Sequence, residues 1–391
     1  MQNPTCHSCG STGLSVFYEA TGMPVASHVL TSRAKALACP RGDIRLAFCR
    51  TCGFIENLAF DPSALAASSP WERGQAASAR PRTSVNDLAA RLIERYDLRG
   101  KTILDIGRGE GDFLAQLCQQ GGNRAVGIGP GYASGPLAGQ ATSGVAHLPE
   151  HHADEHAGLS ADFICCRRTL ERVQATSEFV RLVRKTVGPR RDTVVFFEVP
   201  DVQRVLQDLA FWDISYESCS YFSFGSLARL FRASGFDILD IGNEYDDQHL
   251  VVEACPANGG IGPYWPGEND LAALSDLAER FWESAATKIA DWRAFLRRSQ
   301  MRGQRLVLWG SGSKGVAFLN TLPDEAQVEL VVDNDPTRQG KFIAGTGQEV
   351  VSPAFLSTYQ PDVVIATDPV YCDDIRNDLD RLQLPADVVA L

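Results

Sequence analysis

The stretch Lys101–Leu114, KTILDIGRGEGDFL, decides how the rest of the chain is read. Its apolar run, Thr102 to Ile106, has the length and composition of a buried parallel strand. Three glycines then alternate with other residues, Gly107, Gly109 and Gly111, before a helix-forming segment from Asp112 to Cys118. Glycine permits a turn that side chains would block, and it lets a ligand approach the backbone at a helix N-terminus. Asp105 closes the strand. The spacing is D-x-G-x-G-x-G rather than the dinucleotide pattern G-x-G-x-x-G, although Gly107 and Gly109 could open either.

Around this stretch the sequence alternates strand and helix signals. Helical periodicity covers Asn86 to Leu98, and strands are expected at Arg124–Ile128, Asp162–Cys166 and Asp192–Val199. Helices are expected at Thr176–Val187 and Ser226–Ser234. An antiparallel pair, Asp237–Ile241 and His249–Ala254, ends the segment. Strands alternating with helices in this way indicate an α/β, doubly wound sheet, with ligands beyond the carboxyl ends of the strands.

Upstream, Cys6-x-x-Cys9 and Cys49-x-x-Cys52 each end in glycine, as CHSCG and CRTCG. Two such knuckles suit one tetrahedral Zn²⁺ held by four thiolates, a closed site with no position left for catalysis. A structural zinc is therefore expected, with His7 and Cys39 as bystanders. The long interval between the pairs must form hairpins of its own. Ser69 to Arg82 reads as a polar linker in which Trp71 and Gln75 alone have the surface to reach a neighbouring site.

Downstream, the Gly- and Pro-rich stretch 256–270 marks a second linker. A long amphipathic helix follows over Leu271–Gln300, with Leu274, Leu277, Phe281, Trp282, Ile289, Trp292 and Phe295 at helical spacing. Strand Arg305–Trp309 runs into Gly310-Ser-Gly312-Ser-Lys-Gly315, and Val328–Val332 ends at Asp333. An acid about 20 residues after such a loop fits the dinucleotide fingerprint in outline, so an NAD-linked oxidoreductase remains an open reading. Lys314 at a helix N-terminus would equally suit a phosphate or carboxylate. DPVY, ending in Tyr371, follows a later strand at Asp362–Ala366.

The chain has 391 residues, a formal net charge of −11 and a charged share of 22%. Two or three domains follow from the length. The acidic balance argues against nucleic-acid or membrane-surface partners; the partner expected is a small-molecule substrate, with the oligomeric state open. No secretory signal or membrane-length apolar run is found, and the eleven cysteines form no disulfide framework. Together these suggest a cytoplasmic protein with reduced thiols. Four of the seven histidines fall in HLPEHHADEH, at 147, 151, 152 and 156. Pro149 and the missing apolar face favour a solvated loop there over a metal site.

The order of zinc knuckles, a D-x-G-x-G-x-G domain and a second glycine-loop domain resembles the zinc-containing C-methyltransferases, which include enzymes acting on nucleotide-linked deoxysugars. Supporting stretches are CCRRTLERV (165–173), VVFFEVPDV (194–202), WDISYESCSYFSFGSLARLF (212–231) and LVLWGSGSKGVAFLN (306–320). The resemblance implies three units: a zinc module at 1–85, a class I methyltransferase Rossmann-like domain at 86–258, and a Rossmann-like domain at 268–391. It implies S-adenosylmethionine held by Asp105, Gly107, Gly109, Gly111, Gly129 and Arg167, with a substrate side at Ser313, Lys314 and Tyr371.

The chain departs from that family where chemistry is done. Gly129 stands where members keep an acid for the ribose hydroxyls. Arg172 replaces the histidine of R-x-x-L-E-H, and Ser218 replaces the histidine that acts as general base. A serine hydroxyl cannot take a proton near neutral pH as imidazole does. Carbon methylation needs either such a base or a carbon already rich in electrons. Tyr216, Glu217 and His249 are the remaining candidates for the catalytic set. A repurposed fold, catalysing something else or only binding, is the alternative these losses leave open.

Overall fold

A computed structural model describes residues 4–66, 82–107, 112–128, 161–259, 262–322 and 328–391. Three sheets carry the chain. The first segment contributes β1 (Leu14–Pro24), β2 (Val29–Leu30), β3 (Arg41–Cys49) and β4 (Ile55–Asn57). β1 and β3 form the expected hairpin between the cysteine pairs, Leu14 facing Cys49. In the middle segment β5 (Thr102–Ile106), β6 (Arg124–Ile128), β7 (Phe163–Arg167) and β8 (Val194–Pro200) are parallel neighbours. A two-residue β9 (Ser220–Tyr221) follows, then the antiparallel pair β10 (Phe236–Glu244) and β11 (His249–Pro256). The sheet order is β10-β11-β8-β7-β5-β6, so the chain switches direction across β5. Beyond the end of β5 lies the crevice where open α/β sheets bind ligands.

The last segment begins with the helix Leu271–Met301. It continues through β12 (Leu306–Trp309), β13 (Val328–Val332), β14 (Phe342–Ile343), β15 (Glu349–Val351), β16 (Val363–Ala366) and β17 (Asp387–Ala390). Here β12 sits between β13 and β16, a second switch point. Of the expected stripe on the long helix, Leu274, Phe281 and Trp292 are buried and Leu277, Ile289 and Phe295 pack partly buried against the same core, while Ala278, Ala285 and Leu296 complete the buried face. Trp282 is the exception: it is half exposed and meets Tyr18 edge-on at 5.9 Å.

The three sheets exchange strands, which the linear reading did not foresee. β2 leaves the first segment and pairs with β14 at the edge of the last sheet, Val29 facing Ile343. β9 leaves the middle segment and pairs with β4, Ile55 facing Tyr221. One apolar cluster accordingly joins Ile44 and Phe48 from the first segment, Phe211 and Tyr216 from the middle, and Phe281 and Phe318 from the last. Arg229 adds a polar tie, donating to the Cys52 carbonyl at 2.9 Å and to Asp270 at 2.8 Å. Among the described residues, no helix is long and apolar enough to cross a membrane.

Candidate active site at the carboxyl ends of two sheets

Asp105 and Gly107 lie at the end of β5. The Gly107 amide donates to the Ile128 carbonyl at 2.8 Å, holding the turn against β6. A Cβ built at Gly107 would stand 2.4 Å from Thr169 Oγ1, so the turn has no room for one. On the neighbouring strands Arg167 donates through Nε to Glu198 at 2.6 Å, and its guanidinium lies 4.4 Å from the Phe113 ring centroid. Burial alone would draw the arginine's pKa down, but the facing carboxylates of Glu198 and Asp105 outweigh it and push it up. Burial, then the Asp105 charge, pushes the Cys165 thiol up. This end of the sheet therefore keeps fixed charges and no thiolate. Gly109, Gly111 and Gly129, together with Trp71, Gln75 and the histidines at 147–156, lie outside the described residues.

Beyond the end of β7 the chain makes one helical turn, Leu170–Arg172. Arg172 there pairs with Glu217, donating through Nη1 to Oε2. The other carboxylate oxygen of Glu217 accepts the Ser27 amide at 2.6 Å, so a residue of the first segment completes the cluster. Glu217 is 1% exposed. Tyr216 is as deeply buried: its ring covers Gly42, where a Cβ would meet it at 2.3 Å, and its hydroxyl accepts the Asp61 amide at 2.8 Å. Ser215 and Ser218 pair through their hydroxyls at 3.3 Å.

At the second switch point a cleft of about 530 Å³ gathers Gly310, Ser311, Ser313, Lys314, Asp333 and Tyr371. Gly310 sits at φ +120, and a Cβ there would strike Thr367 Oγ1 at 2.1 Å. Asp333 accepts the Ser311 amide at 3.0 Å, the Ser311 hydroxyl, and Arg338 Nη1 at 3.3 Å. Lys314 turns toward the middle domain, donating to Gln248 at 2.8 Å and Asp368 at 3.0 Å. Tyr371 meets Tyr245 at 2.7 Å between hydroxyls. His249 stands beside that clasp, its ring 5.7 Å from Tyr245 and its strand position facing Pro200 at the end of β8. The three expected substrate residues thus share one wall. Tyr216 and Glu217 share one loop, while His249 belongs with the clasp.

Ser27 and Glu198 are members of these clusters that the sequence reading did not single out. Glu198 had a signal: a lone carboxylate inside the apolar run VVFFEVP has to find a cation. Ser27 had none, because its part is played by the backbone.

Cys6, Cys9, Cys49 and Cys52 bring all four sulfurs within 4.8 Å of one another. The Cys6–Cys52 and Cys9–Cys49 separations are both 3.7 Å. Tetrahedral ligands at the usual zinc–sulfur length of about 2.3 Å would sit about 3.8 Å apart. The donor set fits that ion. Gly10 and Gly53, at φ +78 and +73, turn their amides back to the Cys6 and Cys49 carbonyls.

Comparison with known proteins matches residues 71–241 to a methyltransferase domain and 268–383 to a C-methyltransferase C-terminal domain. The C-methyltransferase NovU of Streptomyces niveus is 28% identical over 301 residues, covering 69% of this chain and 67% of the relative. Among solved structures, an S-adenosylmethionine-dependent methyltransferase from Aquifex aeolicus aligns at 14% identity and TM-score 0.34, over 46% of this chain and all of its own. One from Clostridium acetobutylicum aligns at 11% identity and TM-score 0.36, over 46% of this chain and 93% of its own. The chain thus carries a match to a methyltransferase domain followed by a match to a C-methyltransferase C-terminal domain, on sheets with the switch points described above, and in that arrangement it is similar to the C-methyltransferases.

Proposed function

We propose that this chain transfers a methyl group from S-adenosylmethionine to a carbon of a small metabolite, of the nucleotide-sugar or natural-product-intermediate kind. The observation that carries the reading is the end of β5. Asp105 and the close turn at Gly107 offer an acceptor and a Cβ-free approach at a switch point. When bound, the cofactor supplies an electrophilic methyl group. Asp105, Gly107, Gly109, Gly111 and Gly129 would hold it, while Arg167, fixed by Glu198, keeps the Asp105 side of the pocket charged.

In this reading the acceptor lies between the ends of β7 and β8 and the cleft of the last domain. Ser313, Lys314 and Tyr371 form its far wall. Tyr216 fixes the loop that presents Glu217, and Glu217 orients Arg172; His249 faces the same gap from the clasp. The four cysteines hold one structural Zn²⁺, and the ion's part is to fold the first sheet. None of the eleven cysteines is tied in a disulfide, which fits a cytoplasmic setting. The repurposed-fold alternative keeps its support in Gly129, Arg172 and Ser218. The oxidoreductase reading is weaker, because Asp333 already serves Ser311 and Arg338 instead of standing open to a ribose.

Calorimetry with S-adenosylmethionine tests the proposal. Saturable binding below millimolar concentration is expected. No heat at millimolar ligand overturns it.

A further inference from the structure

A buried carboxylate oxygen without a donor is costly, so a folded chain rarely keeps one that nothing uses. Glu171 is such a group. It lies on the helical turn Leu170–Arg172, its side chain is 7% exposed, and its Oε2 has no hydrogen-bond partner among the described residues. Its other oxygen has Arg172 Nε at 3.8 Å, beyond hydrogen-bond length. The neighbouring glutamates differ. Glu198 accepts from Arg167 at 2.6 Å, and both oxygens of Glu217 are taken, by Arg172 and by the Ser27 amide.

The turn sets Glu171 between the two sides of the crevice. Two residues before it, Thr169 closes on the Gly107 turn, the side assigned to the methyl donor. One residue after it, Arg172 reaches the loop of Glu217. The Arg168 amide donates to the Glu198 carbonyl at 2.9 Å, which fixes the start of the turn against the end of β8. Burial pushes the Glu171 carboxyl above the ordinary glutamate range; Arg172 and Arg168 oppose the shift, and the Glu198 charge adds to it. The thiols of Cys166 on β7 and Cys219 on the loop are themselves pushed up by burial, so they bring no negative charge. A carboxylate raised toward neutrality, with an open oxygen, is suited to take a proton and give it up again.

Resting on the methyl-transfer reading, we infer that Glu171 is the catalytic base in place of the missing imidazole, removing a proton from the acceptor carbon beside a ketone. The C–H bond breaks and the proton goes to Oε2. The electron pair left on carbon, shared with the ketone oxygen, forms the new bond to the methyl group. The methyl–sulfur bond breaks in the same step and its pair stays with the sulfur. Glu171 then releases its proton to water.

The test uses the full zinc-loaded chain, its Glu171→Gln and Glu171→Asp variants, and a nucleotide-linked 4-keto sugar as the probe. S-adenosylhomocysteine binding by calorimetry is measured first on every protein. Its absence from the wild type overturns the methyl-transfer reading itself, independently of any result with the probe. Given that binding, the wild type in heavy water with S-adenosylhomocysteine should exchange the proton beside the ketone, as read by NMR. Glu171→Gln should bind S-adenosylhomocysteine within about twofold of the wild type, yet lose about a hundredfold or more in exchange and in methyl transfer. Glu171→Asp should keep part of both. The wild-type exchange rate should fall as pH drops through the carboxyl's pKa, and infrared difference spectra against Glu171→Gln should show the C=O stretch of a protonated carboxyl growing in over the same range.

Exchange by Glu171→Gln at the wild-type rate overturns the inference, as does a wild type that binds S-adenosylhomocysteine and never exchanges the probe; both leave methyl transfer standing. A carboxyl that stays ionised across the pH range of the rate change also overturns it. Lowered melting midpoints and weakened S-adenosylhomocysteine binding in both variants would make Glu171 a structural residue and equally defeat the inference.

Discussion

Lys314 Nζ lies 3.0 Å from Asp368 Oδ2, and the same ammonium reaches Gln248 of the middle domain at 2.8 Å. Gln248 closes the triangle by donating to Asp368 at 2.9 Å. Lys314 is therefore an interdomain tie as well as a wall of the cleft. Charge-assisted bonds in partly buried positions contribute about 1.5–3 kcal/mol each. Lys314→Met should lower stability by about 2 kcal/mol and speed amide exchange through the turn Tyr245–Asp247, while S-adenosylmethionine affinity changes less than about twofold. Unchanged stability with weakened substrate binding would assign the ammonium to the ligand alone.

The zinc site should behave as a folding element. Elemental analysis is expected to give one Zn²⁺ per chain. Chelation or Cys49→Ser should release it, because the remaining sulfurs cannot close a tetrahedron. Since β1, β3, β4 and β9 form one sheet beside this site, loss of metal should also loosen the loop carrying Glu217. Thermal melts with and without chelator check this. A metal-free protein with an unchanged midpoint and normal turnover would contradict a structural role.

The arrangement was legible to unequal degrees, for physical reasons. Strand β5, the glycine loops, the cysteine knuckles and the long helix declare themselves because periodicity and spacing are local properties. The placement of Val29–Leu30 beside β14 was not legible: a two-residue strand has no period, and its partner lies more than three hundred residues away. Glu217 read as a candidate base in isolation, since nothing local to YESC names Arg172 or the Ser27 amide as its partners. Likewise Lys314 read as an anion grip because helix N-termini favour that, whereas tertiary packing turned it toward Gln248.

Gly107 separates cofactor binding from general packing. Its φ of +156 and the 2.4 Å approach of Thr169 Oγ1 leave no space for a methyl group. Gly107→Ala must push the Thr169 loop or the turn itself, so S-adenosylmethionine affinity should fall at least tenfold. Gly310→Ala introduces a comparable clash with Thr367 in the last domain and should leave that affinity unchanged. Calorimetry on both variants decides it. Equal losses would mean the cofactor site depends on overall integrity rather than on this turn.

Asp162 gives a prediction with a defined sign in pH. Its carboxylate accepts the Thr102 amide at 2.8 Å and Arg190 Nη2 at 2.6 Å, joining the starts of β5 and β7. Desolvation pulls the carboxyl's pKa upward, but these two donors outweigh it and hold the pKa below the ordinary aspartate range. A depressed native pKa means the ionised form contributes to folding. That contribution is complete above the unfolded value of about 4 and is lost as pH falls through the native one. Asp162→Asn should therefore be less stable than the parent by about 1 kcal/mol at pH 7, the partial exposure of the pair limiting the size. The gap should shrink steadily below about pH 4. Urea unfolding at pH 7, 5 and 3 measures it. A gap independent of pH would trace the loss to side-chain shape and remove the ion pair from the account of how β5 is anchored.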